Sequence, residues 1–158
     1  PSTLEKFNKK TSPEDAKLAV KLLHENDIFS HAMFIIGERK DTAESIARLR
    51  EFANDLNSDF AIFAILTPFP GTEVFEEAKR NGWIEDLNWA HYDMVHAIMP
   101  TETLSREEVQ KELYKCYRSF FGSWSRRLRG IFSANEIKRR VYTYMATRGI
   151  VKQFKSLF

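Results

Sequence analysis

The chain has one cysteine, Cys116. That excludes an intrachain disulfide, and a lone thiol cannot hold a zinc ion or an iron–sulfur cluster. A reducing, cytoplasmic setting is the simple inference. Long apolar runs are also missing, since no stretch approaches the roughly 20 residues that a membrane-spanning helix needs. No signal peptide is visible, and a chain that opens at Pro1 without methionine reads as a processed or excised piece. Glycine is sparse, with six residues, and none of them builds a phosphate-binding loop. The four histidines lack metal-ligand spacing, and no Ser–His–Asp arrangement can be argued.

What is present is ordinary in bulk. Over 158 residues, 43% hydrophobic and 29% charged content suit one globular domain with one modest core. Thirteen phenylalanines point to aromatic packing or an apolar cavity, with packing the commoner fate. The net charge of +2 hides an asymmetry. Positions 1–105 carry 11 Lys and Arg against 18 Asp and Glu; positions 106–158 carry 13 against 4. A basic tail on an acidic body can pack against that body, or meet an anionic partner or a membrane surface. A dedicated nucleic-acid site is not expected.

Two apolar runs organise the chain, Ile28–Ile36 and Phe60–Leu66. Neither alternates with polar residues, so each reads as a strand covered on both faces, the habit of parallel sheets. Pro68 and Pro70 stop the second, Gly71 turns the chain, and Thr72 caps a helix in which Glu73, Glu76 and Glu77 match the dipole. Ser12 and Pro13 start a helix to about Glu25, with Ala16, Ala19, Val20 and Leu23 as its stripe and Asn26 as a left-handed terminator. A capping-box pair of Asp41 and Glu44 opens a helix over Ala43–Leu56. A short helical pattern runs through Leu4 and Phe7, and a helical turn is expected over Leu87–Tyr92. Met94–Met99 is a third short strand or an extended arm. Ser105 with Glu108, and Ser133 with Glu136, are capping boxes for helices to about Phe121 and Thr147. Between them Trp124–Phe132 is basic and amphipathic, and Ile150–Phe158 is a terminal helix or frayed tail. The expected division is 1–104 for the strand–helix units and 105–158 for a basic helical tail.

The segments Met33-Phe34-Ile35-Ile36-Gly37 with Asp41-Thr42-Ala43-Glu44-Ser45, and Phe60–Ile84 with its Thr67-Pro68-Phe69-Pro70-Gly71-Thr72 junction, resemble the fifth and sixth strand–helix units of radical S-adenosylmethionine (SAM) enzymes. Within them the similarity is to the cobalamin-associated group, whose reactions include magnesium-protoporphyrin oxidative cyclisation and methylation. Leu4–Lys10 and Asn88–Asp93 add to the resemblance. It implies an α/β fold, the C-terminal part of a partial TIM-like parallel barrel, followed by an all-helical tail. It implies SAM and a 4Fe-4S cluster in the parent enzyme, with cobalamin as a further cofactor, and a 5′-deoxyadenosyl radical that takes a hydrogen from a small-molecule substrate such as a porphyrin.

The family's Cys-x-x-x-Cys-x-x-Cys loop is not in this chain, so the chain alone is expected to be inactive and to need the upstream part of the parent enzyme. By the same resemblance, Ile35, Ile36, Gly37, Leu66 and Thr67 would touch the adenine of SAM. One departure is plain. The family's Gly-Phe-Pro-Gly-Glu-Thr is here Gly37-Glu38-Arg39-Lys40-Asp41-Thr42, which loses a Pro-Gly turn. His31, Met33, Phe69 and Tyr92 are candidates to face substrate, although packing is the blander role for each.

Two lone strands leave sheet edges unpaired. Met94–Met99, the tail or a second copy of the chain would cover them. The other class of reading is a non-catalytic interaction module whose basic tail binds an anionic partner, or sits peripherally on a membrane.

Overall fold

The computed structural model describes residues 9–123, 126 and 128–148. The order is α1 (Pro13–Glu25), β1 (His31–Ile36), α2 (Ala43–Leu56), β2 (Phe60–Ile65), α3 (Glu73–Arg80), a 3-10 turn (Trp89–His91), α4 (Arg106–Gly122) and α5 (Glu136–Arg148). The pattern through Leu4 and Phe7, part of Trp124–Phe132 and the stretch Ile150–Phe158 lie outside the described residues. The chain divides into two compact units. One holds Pro1–His31, Asp55–Phe60 and Ser123–Phe158; the other holds Ala32–Asn54 and Ala61–Gly122.

The two strands are neighbours in one sheet. The Phe60 amide donates to the Ser30 carbonyl and the Leu66 amide to that of Ile36, a constant offset that makes the pair parallel. In the second unit one face of the sheet packs well. Phe63 stacks on Phe34 at 5.2 Å between centroids, and meets Tyr117 and Phe120 of α4 edge-on. Phe34 also meets Phe52 of α2. Ile36, Ile46, Val109 and Leu113 are buried with them. Burying a side chain such as Phe63 contributes about 1.5–3 kcal/mol.

The opposite face corrects the expectation of two-sided cover. Burial along β1 alternates, with His31, Met33 and Ile35 exposed; Met33 is 66% and Ile35 53% accessible. The residues are apolar on both faces, but only one face is covered among the described residues.

The two edges of the sheet also differ. The register turns the odd-numbered backbone groups of each strand outward. On β2, the Tyr117 hydroxyl donates to the Phe63 carbonyl (2.8 Å) and accepts from the Phe63 amide (3.2 Å), and the Ile65 amide donates to the Met94 carbonyl (2.7 Å). On β1, His31, Met33 and Ile35 have no backbone partner on their outer edge among the described residues. Met94–Met99 therefore is an arm, not a strand. Gln110 of α4 satisfies it by accepting from the Ala97 amide and donating to the Val95 carbonyl.

Local signals mostly hold. Ser12 and Asp15 form a full capping box before Pro13, and Thr72 caps α3 by accepting from the Phe75 amide. Ser105 and Glu108 exchange bonds before α4. Three details differ. Asn26 stays right-handed while Asp27 takes a φ of 51°, because the Asp27 carboxylate is fixed by the Ser133 hydroxyl and the Asn135 amide. The box before α2 is Thr42 with Ser45, not Asp41 with Glu44. Asn135, not Ser133, caps α5 by accepting from the Lys138 amide, since Ser133 is spent on Asp27. The stripe of α1 is at most half-buried, and no residue of that helix is fully buried.

Candidate functional site at the strand ends

Parallel strands place their C-terminal ends side by side, where α/β folds hold ligands. Here those ends are Ile36-Gly37 and Leu66-Thr67. Gly37 has φ of 81°, and an added Cβ would lie 3.2 Å from Val109 Cγ1 and 3.3 Å from Ile65 Cγ2. The positive φ favours glycine there, and an added Cβ would also crowd those two methyls.

The loop beyond Gly37 is closed from within. One carboxylate oxygen of Asp41 accepts from the Gly37 amide (2.9 Å) and the Glu38 amide (3.1 Å), and the other accepts from the Ser45 hydroxyl (2.9 Å). Burial pushes the Asp41 carboxyl up, and the bonds from Ser45, Glu38 and Gly37 offset this only in part. Glu38 is buried, and its carboxylate accepts from the Lys40 amide (2.8 Å). The Gly37 and Glu38 amides are thus already taken by Asp41.

Ile35 and half-buried Leu66 are accessible at this end, whereas Ile36 is fully buried on the opposite face. Thr67 is buried and donates its hydroxyl to the Ile65 carbonyl (3.1 Å). Of the five adenine candidates, Ile35 and Leu66 offer side chains. Ile36, Gly37 and Thr67 shape the backbone beneath them.

The substrate candidates stand on different elements. Met33 shares the open face with Ile35. His31 opens β1, with its ring edge-on to Phe60 at 5.3 Å. Phe69 is exposed on the loop after β2. Tyr92 packs within its own loop, with its ring 4.8 Å from Trp89 and its hydroxyl donating to the Asp86 carbonyl (3.3 Å).

The sequence reading missed the groups that hold this end together. Asp86 accepts from Arg106 (2.7 Å) and pairs with His91 Nδ1 (2.8 Å), and the His91 contact and the Asn88 amide keep its carboxyl below the ordinary range. Arg39 lies over the Trp83 ring at 4.3 Å. No local spacing rule announces such pairs. Among the described residues no group of three His, Cys, Asp or Glu could hold a metal ion. Cys116 is buried in α4, and burial pushes its thiol up to about 11. It suits packing rather than ligation.

No family model matches the chain. Individual relatives do. An uncharacterised methyltransferase of Pyrococcus horikoshii is 33% identical over 121 residues, which is 77% of this chain and 26% of that protein. The anaerobic magnesium-protoporphyrin IX monomethyl ester cyclase of Rubrivivax gelatinosus is 34% identical over 118 residues, 75% of this chain and 21% of that protein. The chain is a homologue of radical SAM-type enzymes. It spans about a quarter of the first relative's length and about a fifth of the second's. Among these radical SAM-type relatives, a bacteriochlorophyllide d C-8(2)-methyltransferase of Chlorobaculum tepidum aligns over 98% of the chain, 35% of that protein, at 24% identity. Cyclase and methyltransferase names thus occur together, and kinship alone does not select the reaction.

Proposed function

We propose that the chain supplies the last two strand–helix units of a radical SAM barrel and one wall of its SAM adenosyl pocket. The asymmetry of the sheet carries this reading. On the β2 edge, Phe63 and Ile65 are already partnered by Tyr117 and Met94, which disfavours a further strand there. The β1 edge and the Met33–Ile35 face stay open. A parallel strand added beside β1 would extend the sheet, and curvature would bring the open face to the lumen. The upstream part of a longer polypeptide is the partner.

The residues at the strand ends fit an adenosyl group. Ile35 and Leu66 give flat apolar contact, and Gly37 keeps the backbone close. The residues do not fit an iron–sulfur cluster: Cys116 is a single buried thiol, and no step of cluster chemistry is assigned to this chain. SAM, when bound beside a cluster, supplies the oxidising equivalent that removes a substrate hydrogen. This chain's part is to bind and orient the adenosyl end and to exclude water from it. Cobalamin would likewise be held elsewhere. Oxidative cyclisation and methyl transfer on a tetrapyrrole are the two reactions of this reading.

Two basic residues of the tail count against a free anion-binding arm. Arg129 and Lys138 are engaged with Asp59, and Lys138 also with Asp27. No helix among the described residues is long and apolar enough to cross a membrane.

The test is a chimera in which this chain replaces the matching segment of the R. gelatinosus cyclase. After anaerobic loading with iron and sulfide, it should bind SAM and release 5′-deoxyadenosine. Ile35→Asp should weaken SAM binding about tenfold or more with cluster content unchanged, because a charge would meet the adenine face. A folded, cluster-loaded chimera that binds no SAM overturns the proposal.

A further inference from the structure

Arg39 stands where the resembling family has a proline–glycine turn, and its contacts converge from several directions within the second unit. Its carbonyl accepts from the Glu102 amide at 2.7 Å. Its Nη1 donates to the Pro100 carbonyl at 2.8 Å. Its guanidinium lies over Trp83 at 4.3 Å, and its buried Nε has no hydrogen-bond acceptor among the described residues. The negative face of the indole compensates for that missing acceptor. One loop residue on, Thr103 donates its hydroxyl to the Asp41 carbonyl at 3.1 Å. The loop 37–41, already closed by Asp41, is thereby tied to the segment 100–103 and to Trp83.

We infer that Arg39 is a positioning residue. It replaces the lost stiffness of the turn with a clasp, so that the loop after β1 and the segment 100–103 move as one body. Lysine cannot do this, because it lacks the planar fork that donates at one corner while lying flat on a ring. The consequence for a ligand rests on the functional reading above: a mouth already rigid binds an adenosyl group without an ordering cost. The clasp itself does not depend on that reading.

Amide hydrogen exchange on the full chain tests it. The Glu102 amide bonds to the Arg39 backbone, so a side-chain change leaves that bond's atoms in place. In Arg39→Gln the Glu102 and Asp41 amides should exchange about tenfold faster, while the Leu66 amide, which reports the β1–β2 pair, stays within about twofold of wild type. Arg39→Lys should behave like Arg39→Gln. Trp83→Phe, which keeps an aromatic face, should stay near wild type, and Trp83→Leu should not. Full rescue by lysine overturns the inference, and so does unchanged Glu102 exchange in Arg39→Gln. An equal rise at Leu66 also overturns it, since Arg39 would then only stabilise the whole unit. A chimera that fails to bind SAM would sink the proposed function and leave the clasp standing.

Discussion

Two aspartates, one fully buried before β2 and one half-buried after β1, are held in opposite ways. Asp59 is fully buried and surrounded by charge. Its carboxylate accepts from the Ser30 amide (2.9 Å), the Ser30 hydroxyl (2.9 Å) and the Tyr142 hydroxyl (2.7 Å), with Arg129 at 3.3 Å and Lys138 at 3.5 Å. Burial alone would raise its carboxyl, but these partners outweigh it and the net shift is downward. Asp41 has amide and hydroxyl donors and no cation among its bonds, and burial wins. Ionisation at neutral pH therefore stabilises the fold through Asp59 and costs stability through Asp41. The strand N-termini carry an electrostatic anchor. The loop after β1 is held by uncharged donors, and burial there raises its carboxyl.

The sharpest way to break this contrast is Asp59→Asn. It leaves Lys138 and Arg129 without their buried counter-charge and should lower unfolding stability by about 3–5 kcal/mol, read by urea denaturation. The sign with pH follows from the depressed carboxyl. Its contribution is present above the unfolded pKa of Asp, 3.8, and is lost as pH falls through the lower folded value. Wild type should therefore lose stability toward acid more steeply than the variant. A cost under about 1 kcal/mol would show that burial cancels the partners.

Tyr142→Phe probes one spoke of that anchor. The phenol, pushed up to about 12 chiefly by burial, donates to Asp59 and accepts from Arg129 at 3.1 Å. Its loss should cost about 1–2 kcal/mol by the same melts. A neutral result would remove Tyr142 from the account.

The smallest effect is expected from Asp41→Asn, about 1 kcal/mol or less at pH 7, because an amide oxygen can still accept from Gly37 and Glu38. The raised carboxyl reverses the sign seen at Asp59. The folded state binds the proton first, so the Asp41 contribution improves as pH falls through the folded value toward the unfolded one. Melts of both proteins from pH 7 to pH 4 should show wild type gaining on the variant. A gap that moves the other way contradicts the assignment of burial as the dominant cause.

These anchors mark what the sequence could and could not reveal. Helix α2 falls where its apolar spacing and the loops around it placed it, and Thr72 caps α3 as its position suggested. Such signals act within a few residues. The Asp59–Tyr142 bond spans 83 positions and the Tyr117–Phe63 bond 54, and no periodicity connects them. The uncovered face of β1 was hidden for a different reason: Met33 and Ile35 are apolar, and apolarity does not say whether a cover is present. Of the five adenine candidates, Ile35 and Leu66 keep accessible side chains, while Ile36 and Thr67 are buried, a difference that the apolar run does not encode. The closing role of Asp41 was obscured because aspartate before a helix reads first as a cap.

The hydroxyl of Tyr117 also dictates an order of events in folding. β1 and β2 can pair through the local crossover of α2, but β2 completes its outer edge only when α4 arrives from 54 residues away. Closing that longer loop is the slower step. Until then the nascent sheet has two open edges instead of one, and a collision with another such chain can add strands at either side. Refolding yield should therefore fall with protein concentration more steeply for Tyr117→Phe than for the native chain, because in the variant the Phe63 amide and carbonyl on that edge stay unpaired.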